Sequence, residues 1–220
     1  MTARYTKRTG GVSHGAFASL NLGTHVGDDL NDVLRNRGIL AEKFGPIQYM
    51  NQVHGDRIAV IEEIAEDVPR ADALVTGIPG ITLAVMVADC IPLLLTSKES
   101  VAAVHVGRRG LTNNIARKTI SLMRDMGASQ ITAFMGPAIC GKCYEVSEDV
   151  FNEVVALHPF AESRTPSGTL ALDLPGALRS VLSDEGIPLI DKFECTVENK
   201  ELFSYRRDGV TGRQAGLVSL

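Results

Sequence analysis

A cysteine, a histidine and an aspartate interrupt the most apolar part of this chain, and a second histidine lies in a segment before it. Residues 81–110 read ITLAVMVADCIPLLLTSKESVAAVHVGRRG, three apolar runs almost back to back. Asp89 and Cys90 end the first run, and His105 lies in the third. His54 sits before a glycine, at the break between two strand-like pieces in IQYMNQVHGDRIAVI. Three chemistries suit this set. Cys90, His105 and His54 could hold a zinc ion with an open fourth position, which lowers the pKa of bound water to about 7. Cys90 and His105 could form a nucleophile pair, the imidazole keeping the thiol ionised. A cysteine with two histidines also suits copper. An inert buried cysteine beside a hydrogen-bonded histidine is the fourth reading. Asp89 is either a carboxylate that orients a ligand or an ordinary strand-end acid.

The elements that must position these groups are strands. Residues 81–88 are nearly all apolar, as in a strand buried on both faces. LLLT and VAAVHV are further strands joined by the polar turn Ser97–Ser100, which brings Cys90 and His105 onto neighbours. Pro92 cannot donate to a central ladder, so a bend is expected there. ADALVT, ITAFMGP, TLALDL and a pair within IPLIDKFECTV add strands, Asp72 opening the first of them. Four helices are expected. Asp28 or Asp29 caps the first, LNDVLRNRGILAEKFG, with Leu30, Val33, Leu34, Ile39 and Leu40 as its apolar face. The second is LTNNIARKTISLMRDMG, closed by Gly127 at C′. The third starts at Ser147, and the fourth is capped by Asp173 with Pro175 in its first turn. Several strands lie too close in sequence for helical crossovers. The expected fold class is therefore α/β, a single domain over residues 1–220 with layered mixed sheets and helices outside, rather than a doubly wound sheet.

Other stretches offer binding groups. The Gly-, Ser- and Asn-rich segment TGGVSHGAFASLNLGTHVGDD could lie over a site, presenting backbone N–H groups, Asn21 and His25. Gly107-Arg108-Arg109-Gly110 passes from strand to helix, where unpaired N–H groups favour an anion. The polar, glycine-punctuated end carries Arg206, Arg207 and Arg213, either a solvated tail or the lining of an anion pocket. Cys140-Gly-Lys-Cys143 has Cys-x-x-Cys spacing, but a zinc ribbon needs a second cysteine pair and the sequence holds none. A thioredoxin-like pair would sit early in a βαβ unit, which this one does not.

Composition narrows the classes. A formal net charge of −4, no Trp and 5% aromatic residues argue against nucleic-acid or anionic-membrane partners. No apolar run is long enough to span a bilayer. The basic start has no apolar segment behind it, so it is not a secretory signal, and the four cysteines are expected reduced in the cytoplasm.

Several blocks, in order, carry a resemblance that covers nearly the whole chain: GGVSHGAFASLNLGTHVGDD, NQVHGDRI, ADALVTGIPGITLAVMVADCIPLLL, AAVHVGRRGL, FMGPAICGKCYEV and CTVENKELFSYRRDGVTGR. The sequence resembles the YfiH-like family, whose members are described variously as multicopper polyphenol oxidases (laccases), purine nucleoside phosphorylases and peptidoglycan-editing factors. The resemblance implies layered sheets flanked by helices, akin to cysteine hydrolases, and a metal site, usually zinc, on His54, Cys90 and His105. It further implies phosphorolysis of adenosine, inosine, guanosine or methylthioadenosine, with adenosine deamination beside it. Phosphate would then be held by Arg109 first, and by Arg206 and Arg207. Asn21 and its loop would close over the nucleoside, with Cys90, His105 and Asp89 at the reacting centre. The expected partners are purine nucleosides and phosphate, and the expected state is monomer or homodimer. Arg108 stands where the family commonly has Trp, which removes an apolar contact and adds a charge beside the site.

Overall fold

The computed structural model describes residues 2–65 and 67–220. Among the described residues twelve strands run in chain order as β1 (Thr2–Tyr5), β2 (Ile47–Gln48), β3 (Ile58–Val60), β4 (Ala73–Thr76), β5 (Thr82–Val87), β6 (Ile91–Thr96), β7 (Val101–Val106), β8 (Thr132–Met135), β9 (Glu162–Arg164), β10 (Leu170–Leu172), β11 (Leu189–Asp191) and β12 (Gln214–Ser219). Six helices accompany them among the described residues: α1 (Leu30–Phe44), α2 (Arg108–Thr112), α3 (Ile115–Asp125), α4 (Glu148–Leu157), α5 (Leu174–Asp184) and α6 (Tyr205–Asp208).

The strands form a four-stranded sheet in the order β1-β12-β5-β2 and a six-stranded sheet in the order β11-β8-β6-β7-β4-β3, with β9 and β10 as a separate pair. Both large sheets are mixed: β2 pairs β5 in parallel while β12 pairs β5 antiparallel, and β3 and β11 add parallel edges to an antiparallel centre. The strand period sorts the side chains into layers. Leu83, Val85 and Val87 of β5 meet Leu74, Leu94, Val101 and Ala103 between the two sheets. Ala84 and Met86 face the other way, against Leu40 of α1. The outer face of the six-stranded sheet, with Val75, Leu93, Leu95, Ala102 and Val104, packs on Leu111, Ile115, Ile120, Met123, Val154 and Leu178 of α2 to α5. The result is helix, sheet, sheet, helices, the layered mixed α/β fold expected.

Some local expectations are corrected. Asp29 caps α1, accepting from the N–H of Asn31 and Asp32, but Leu30, Leu34 and Ile39 stay exposed. The helix docks through Val33, Leu40 and the buried Asn36, whose amide donates to Ser13 Oγ and to the carbonyls of Ser19 and Asn21. The single helix expected after residue 110 is two, because Asn114 enters the left-handed region with φ of 60°. Pro92 causes no break in β6: it is the second residue of the strand, ahead of the ladder to β8 that begins at Leu93. The C-terminal end is not a solvated tail, since Gln214–Ser219 is an inner strand of the four-stranded sheet. Of the pair expected in IPLIDKFECTV, only Leu189–Asp191 forms a strand.

Candidate metal centre

Residues 88–90 carry the chain from β5 in one sheet to β6 in the other. That crossing is sharp, and Asp89 makes it with φ of 103°. A non-glycine residue there costs on the order of 1–3 kcal/mol and persists only where its surroundings hold it. Three donors hold Asp89. Its Oδ1 accepts from the hydroxyls of Thr196 at 2.6 Å and Ser204 at 2.7 Å, and its Oδ2 from the Arg206 backbone N–H at 2.7 Å. The next residue, Cys90, immediately precedes β6 of the six-stranded sheet.

Register then assembles the site. Ile91 pairs with Val106 and Pro92 with His105, so Cys90 lies opposite Gly107 and diagonal to His105 on the same face. A Cβ on Gly107 would sit 3.0 Å from the Cys90 sulfur and 3.5 Å from His54 Cδ2, so glycine gives the thiol its room. On the opposite flank of β7, Ala73 pairs with Val104, which sets Asp72 beside His105. The imidazole Nδ1 of His105 lies 2.9 Å from Asp72 Oδ1. An Nδ1–H donated to that carboxylate leaves Nε2 free to face Cys90 and His54.

Asp72 also builds the His54 turn. Its Oδ1 accepts from the His54 N–H at 2.9 Å, and its Oδ2 from the Gly55 N–H at 2.7 Å and the Val53 N–H at 3.3 Å. His54 takes φ of 57° in this turn. Its ring stands edge-on to His105, with centroids 4.7 Å apart. Asp72 is fully buried with 0% exposure, yet every direction of its carboxylate is occupied. In the sequence Asp72 is only the acid that opens a strand, and nothing there discloses these contacts with the candidate site. The orienting part expected of Asp89 falls to Asp72, because Asp89 reaches neither histidine.

Donor atoms of His54, Cys90 and His105 all lie within 4.8 Å of one another. Two imidazole nitrogens and a thiolate at that spacing, one of them already oriented by a carboxylate, fit a tetrahedral zinc ion with one position open. The metal-free charges follow from the same contacts. Burial alone would raise the Cys90 thiol, but the charge and hydrogen bond of His105, helped by His54, bring it down to about 6. Burial alone would lower His105, but the Cys90 thiolate and Asp72 push it up to about 9. Asp72 is held below its usual value because bonds from His105 and Gly55 outweigh its burial.

These shifts have a testable sign. The Cys90 contribution to stability is present above its ordinary 9.0 and lost as pH falls through about 6. The His105 contribution is present below its ordinary 6.5 and lost as pH rises through about 9. Between these limits the proton has moved from sulfur to imidazole while the pair's total is unchanged, so stability gains almost no slope. Thiol reactivity does report the transfer. In metal-free protein, iodoacetamide should label Cys90 at a rate that is flat from about pH 9 to 7 and falls about tenfold per unit below 6. Cys143, pushed up to about 12 first by burial and then by Cys140, should react far more slowly at pH 7. A Cys90 rate still rising toward pH 9 would contradict the ion pair.

A cavity of about 550 Å³ lies over the triad. Met86, Val87, Ile139 and Leu174 give it apolar wall, Tyr144 and Tyr205 aromatic surface, and Arg108, Arg206 and Arg213 positive charge, while burial and the neighbouring Arg213 hold the lining His25 below the usual imidazole value. Arg206 lies over the Tyr144 ring at 5.2 Å and donates to the Glu145 carbonyl. Arg108 pairs with Glu153 at 3.2 Å. The other arginines expected at the site lie elsewhere. Arg109 is exposed and outside the cavity lining. Arg207 is spent on the carbonyls of Thr196, Asn199 and Leu202 and on Asp208. Asn21 is buried and acts on Arg213 instead of a ligand: its Oδ1 accepts the Arg213 backbone N–H at 2.9 Å, and its amide donates to Asp28. Gln52, not singled out in the sequence, pins the His54 loop to β5 by bonding both N–H and carbonyl of Met86.

Comparison with known proteins agrees with this architecture. A purine nucleoside phosphorylase of Corynebacterium glutamicum is 47% identical, over 98% of this chain and 93% of its own. One of Streptomyces coelicolor is 43% identical, over 98% and 94%. A solved Neisseria meningitidis protein of the DUF152 family superposes with a TM-score of 0.91 at 40% identity, over 99% of this chain and 93% of that one. YlmD of Geobacillus stearothermophilus gives 0.87 at 34% identity, over 99% and 91%. The family described as multi-copper polyphenol oxidoreductase laccase matches residues 2–220. The chain belongs to that family, which includes the YfiH and DUF152 proteins.

Proposed function

We propose that this protein is a zinc-dependent purine nucleoside phosphorylase that also deaminates adenosine. The observation that carries the reading is a Cys-His-His donor set, oriented by a buried carboxylate, on the floor of a cavity edged by three arginines. The names of the relatives from Corynebacterium and Streptomyces support it. A volume of about 550 Å³ falls in the range of small-molecule sites and suits a nucleoside with phosphate.

The residues divide the work as follows. Arg206 and Arg213, with Arg108 beside them, hold the phosphate, as forked guanidinium groups hold oxyanions. Asp89 sets Arg206 through its backbone, and Asn21 sets Arg213 the same way. Tyr144 and Tyr205 offer faces to the purine, and Met86, Val87, Ile139 and Leu174 keep water from the ribose. In phosphorolysis a phosphate oxygen bonds to C1′ as the C1′–N9 bond breaks, and positive charge develops on the ribose. The anion held by the arginines stabilises that charge. Asp72 and His105 fix the geometry of the triad through both reactions. Zinc bound there supplies Lewis acidity and a water with its pKa lowered to about 7, as attack on the purine C6 requires.

Purified zinc-loaded protein should convert inosine to hypoxanthine and ribose 1-phosphate only when phosphate is present, and adenosine to inosine without it. Absence of both products would overturn the reading. The lowered Cys90 thiol favours a second one, a cysteine nucleophile acting on an amide of a peptidoglycan precursor. Chelation separates the two, since a cysteine amidase keeps its turnover when all metal is removed. The laccase description raises copper, which the same donors also suit. A multicopper site needs several histidine-rich centres, and the described residues offer one group of three ligands that contains histidine. Oxidation of a phenol only after copper loading, with no nucleoside turnover, would favour that description.

A further inference from the structure

The Cys-x-x-Cys segment lacks a second cysteine pair in the sequence, but the fold supplies an equivalent. Cys140, Cys143, Cys195 and Glu198 bring their ligand atoms within 4.8 Å of one another. The second half of the set is Cys195-x-x-Glu198, the same spacing with a carboxylate in the last place. Each half is a tight turn. The Cys140 carbonyl accepts from the N–H groups of Cys143 at 3.0 Å and Tyr144 at 3.1 Å, and the Cys195 carbonyl accepts from the Asn199 N–H at 2.9 Å. The two turns are fastened to each other by a parallel bridge between Ala138 and Cys195, with Thr196 N–H donating to the Ala138 carbonyl at 3.1 Å. Gly141 lets the first turn close, because a Cβ there would lie 2.7 Å from both Asp173 Cβ and Ser163 Oγ.

We infer that this cluster is a second metal centre, a structural tetrahedral zinc site with three thiolates and one carboxylate. Zinc–sulfur bonds of about 2.3 Å and a zinc–oxygen bond of about 2.0 Å require edges of about 3.8 Å between sulfurs and about 3.5 Å from sulfur to oxygen. The Cys143 sulfur is already 3.9 Å from Glu198 Oε1, so that edge needs a few tenths of an ångström, and no edge needs more than about 1 Å, since all the ligand atoms lie within 4.8 Å of one another. Four anionic ligands exceed the charge of a dication, and the Arg207 guanidinium lies beside the second turn. It donates to the carbonyls of Thr196, Val197 and Asn199 there and pairs with Asp208 at 2.8 Å, which places a cation next to the cluster and shares its charge with one carboxylate. This accounts for an arginine that faces away from the cavity. Soft thiolates in a closed tetrahedral set select zinc over magnesium or calcium.

The centre would brace the first site without taking part in it. Ile139 and Tyr144 flank the first turn and line the cavity, while Thr196, beside Cys195, holds Asp89. A metal there ties the cavity wall to the residue that turns the chain between the sheets.

The test reads metal, not turnover, so it is independent of the proposed phosphorolysis. Cys90→Ala protein, purified with reductant, should retain one zinc per chain. Titrated with cobalt(II) after zinc removal, it should bind one ion with thiolate-to-metal charge transfer and the intense ligand-field bands of tetrahedral cobalt. Cys143→Ser should weaken that binding at least about tenfold. Glu198→Cys, made in the otherwise unchanged protein, should tighten binding and raise the charge-transfer intensity of this centre by about a third, from three thiolates to four. Two outcomes overturn the inference: no cobalt bound by reduced Cys90→Ala protein with Glu198→Cys also leaving the spectrum unchanged, or a disulfide joining Cys140 to Cys143 or Cys195 in protein prepared with reductant.

Discussion

Cys90→Ala should lower phosphorolysis and deamination by at least about a thousandfold and remove one zinc equivalent per chain. The size follows from what the thiolate does. Cys90 is the anionic member of the triad, and without it two neutral imidazoles remain to hold a dication. Loss of the ion withdraws several kcal/mol of charge stabilisation, and about 4 kcal/mol is a factor of about a thousand. The fold should survive, because Cys90 ends at the cavity and contributes only the rim of the core between the sheets. Zinc analysis, circular dichroism and an inosine-plus-phosphate assay on the same preparation check the three parts. Turnover within tenfold of the unchanged protein would sink the assignment of the triad. Loss of turnover with zinc content unchanged would shift Cys90 from ligand to nucleophile.

The candidate site lies where two sheets part. β5 belongs to one sheet and β6 to the other, so the chain between them must turn at the open end of the core. Cys90 and His105 both point into the space between the sheets, along with Val101 and Ala103, and there they meet the cavity instead of more apolar side chains. A purely apolar packing could not stop there without exposing β-strand ends. A polar constellation can, provided each member is held. His105 is held by Asp72, Asp89 by Thr196 and Ser204, and His54 by its turn on Asp72. The two non-glycine residues with positive φ at the site, His54 and Asp89, are the ones most heavily hydrogen-bonded through their neighbours. Strain and restraint coincide there, as expected of a preorganised site.

The sequence discloses the triad because apolar runs reveal buried strands, and a thiol or imidazole stands out at their ends. The same logic fails for Asp72. An acid before a buried strand has the same letter whether it faces water or four hydrogen-bond donors, and only the register with His105 separates the two. Adjacent arginines fail for a related reason. In each pair one member lines the cavity and the other does not: Arg108 but not Arg109, Arg206 but not Arg207. Neighbours on a helix diverge by about 100°, so the phase of a short helix decides, and spacing cannot supply it. The inner strand Gln214–Ser219 escaped for want of pattern, since glycine and glutamine precede its apolar residues, yet Gln214 is buried by bonding Phe203 N–H and carbonyl. The layered fold itself was legible from strand density alone, and its helix caps from Asp29, Asp173 and Gly127.

Asp72→Asn tests how much of the centre depends on one residue that touches neither substrate nor metal. The substitution keeps volume and shape but replaces one acceptor oxygen by an NH₂ donor. Asp72 receives the backbone N–H groups of Val53, His54 and Gly55 and the ring of His105, all in a fully buried position. An asparagine can satisfy the donors on one side only, and its NH₂ must face N–H groups on the other. Either the His54 turn or the His105 tautomer is then lost. Removing the orienting partner of a metal-bound histidine costs about 10–100-fold in metal affinity, so zinc should bind this centre about that much more weakly. In metal-free protein the charged His105 also loses one of its two buried anionic partners, the Cys90 thiolate remaining, so the cost should fall below the about 3–5 kcal/mol of a fully broken buried pair. Denaturant melts of the metal-free protein at pH 7.5 and zinc competition with a chromophoric chelator measure the two separately. Asp72→Glu offers the control: it restores the charge but overfills the site, so it should recover part of the His105 bond and little of the His54 turn. Zinc affinity within twofold of the unchanged protein in Asp72→Asn would show that His105 needs no orienting carboxylate, and that the geometry rests on Cys90 and the sheet register alone.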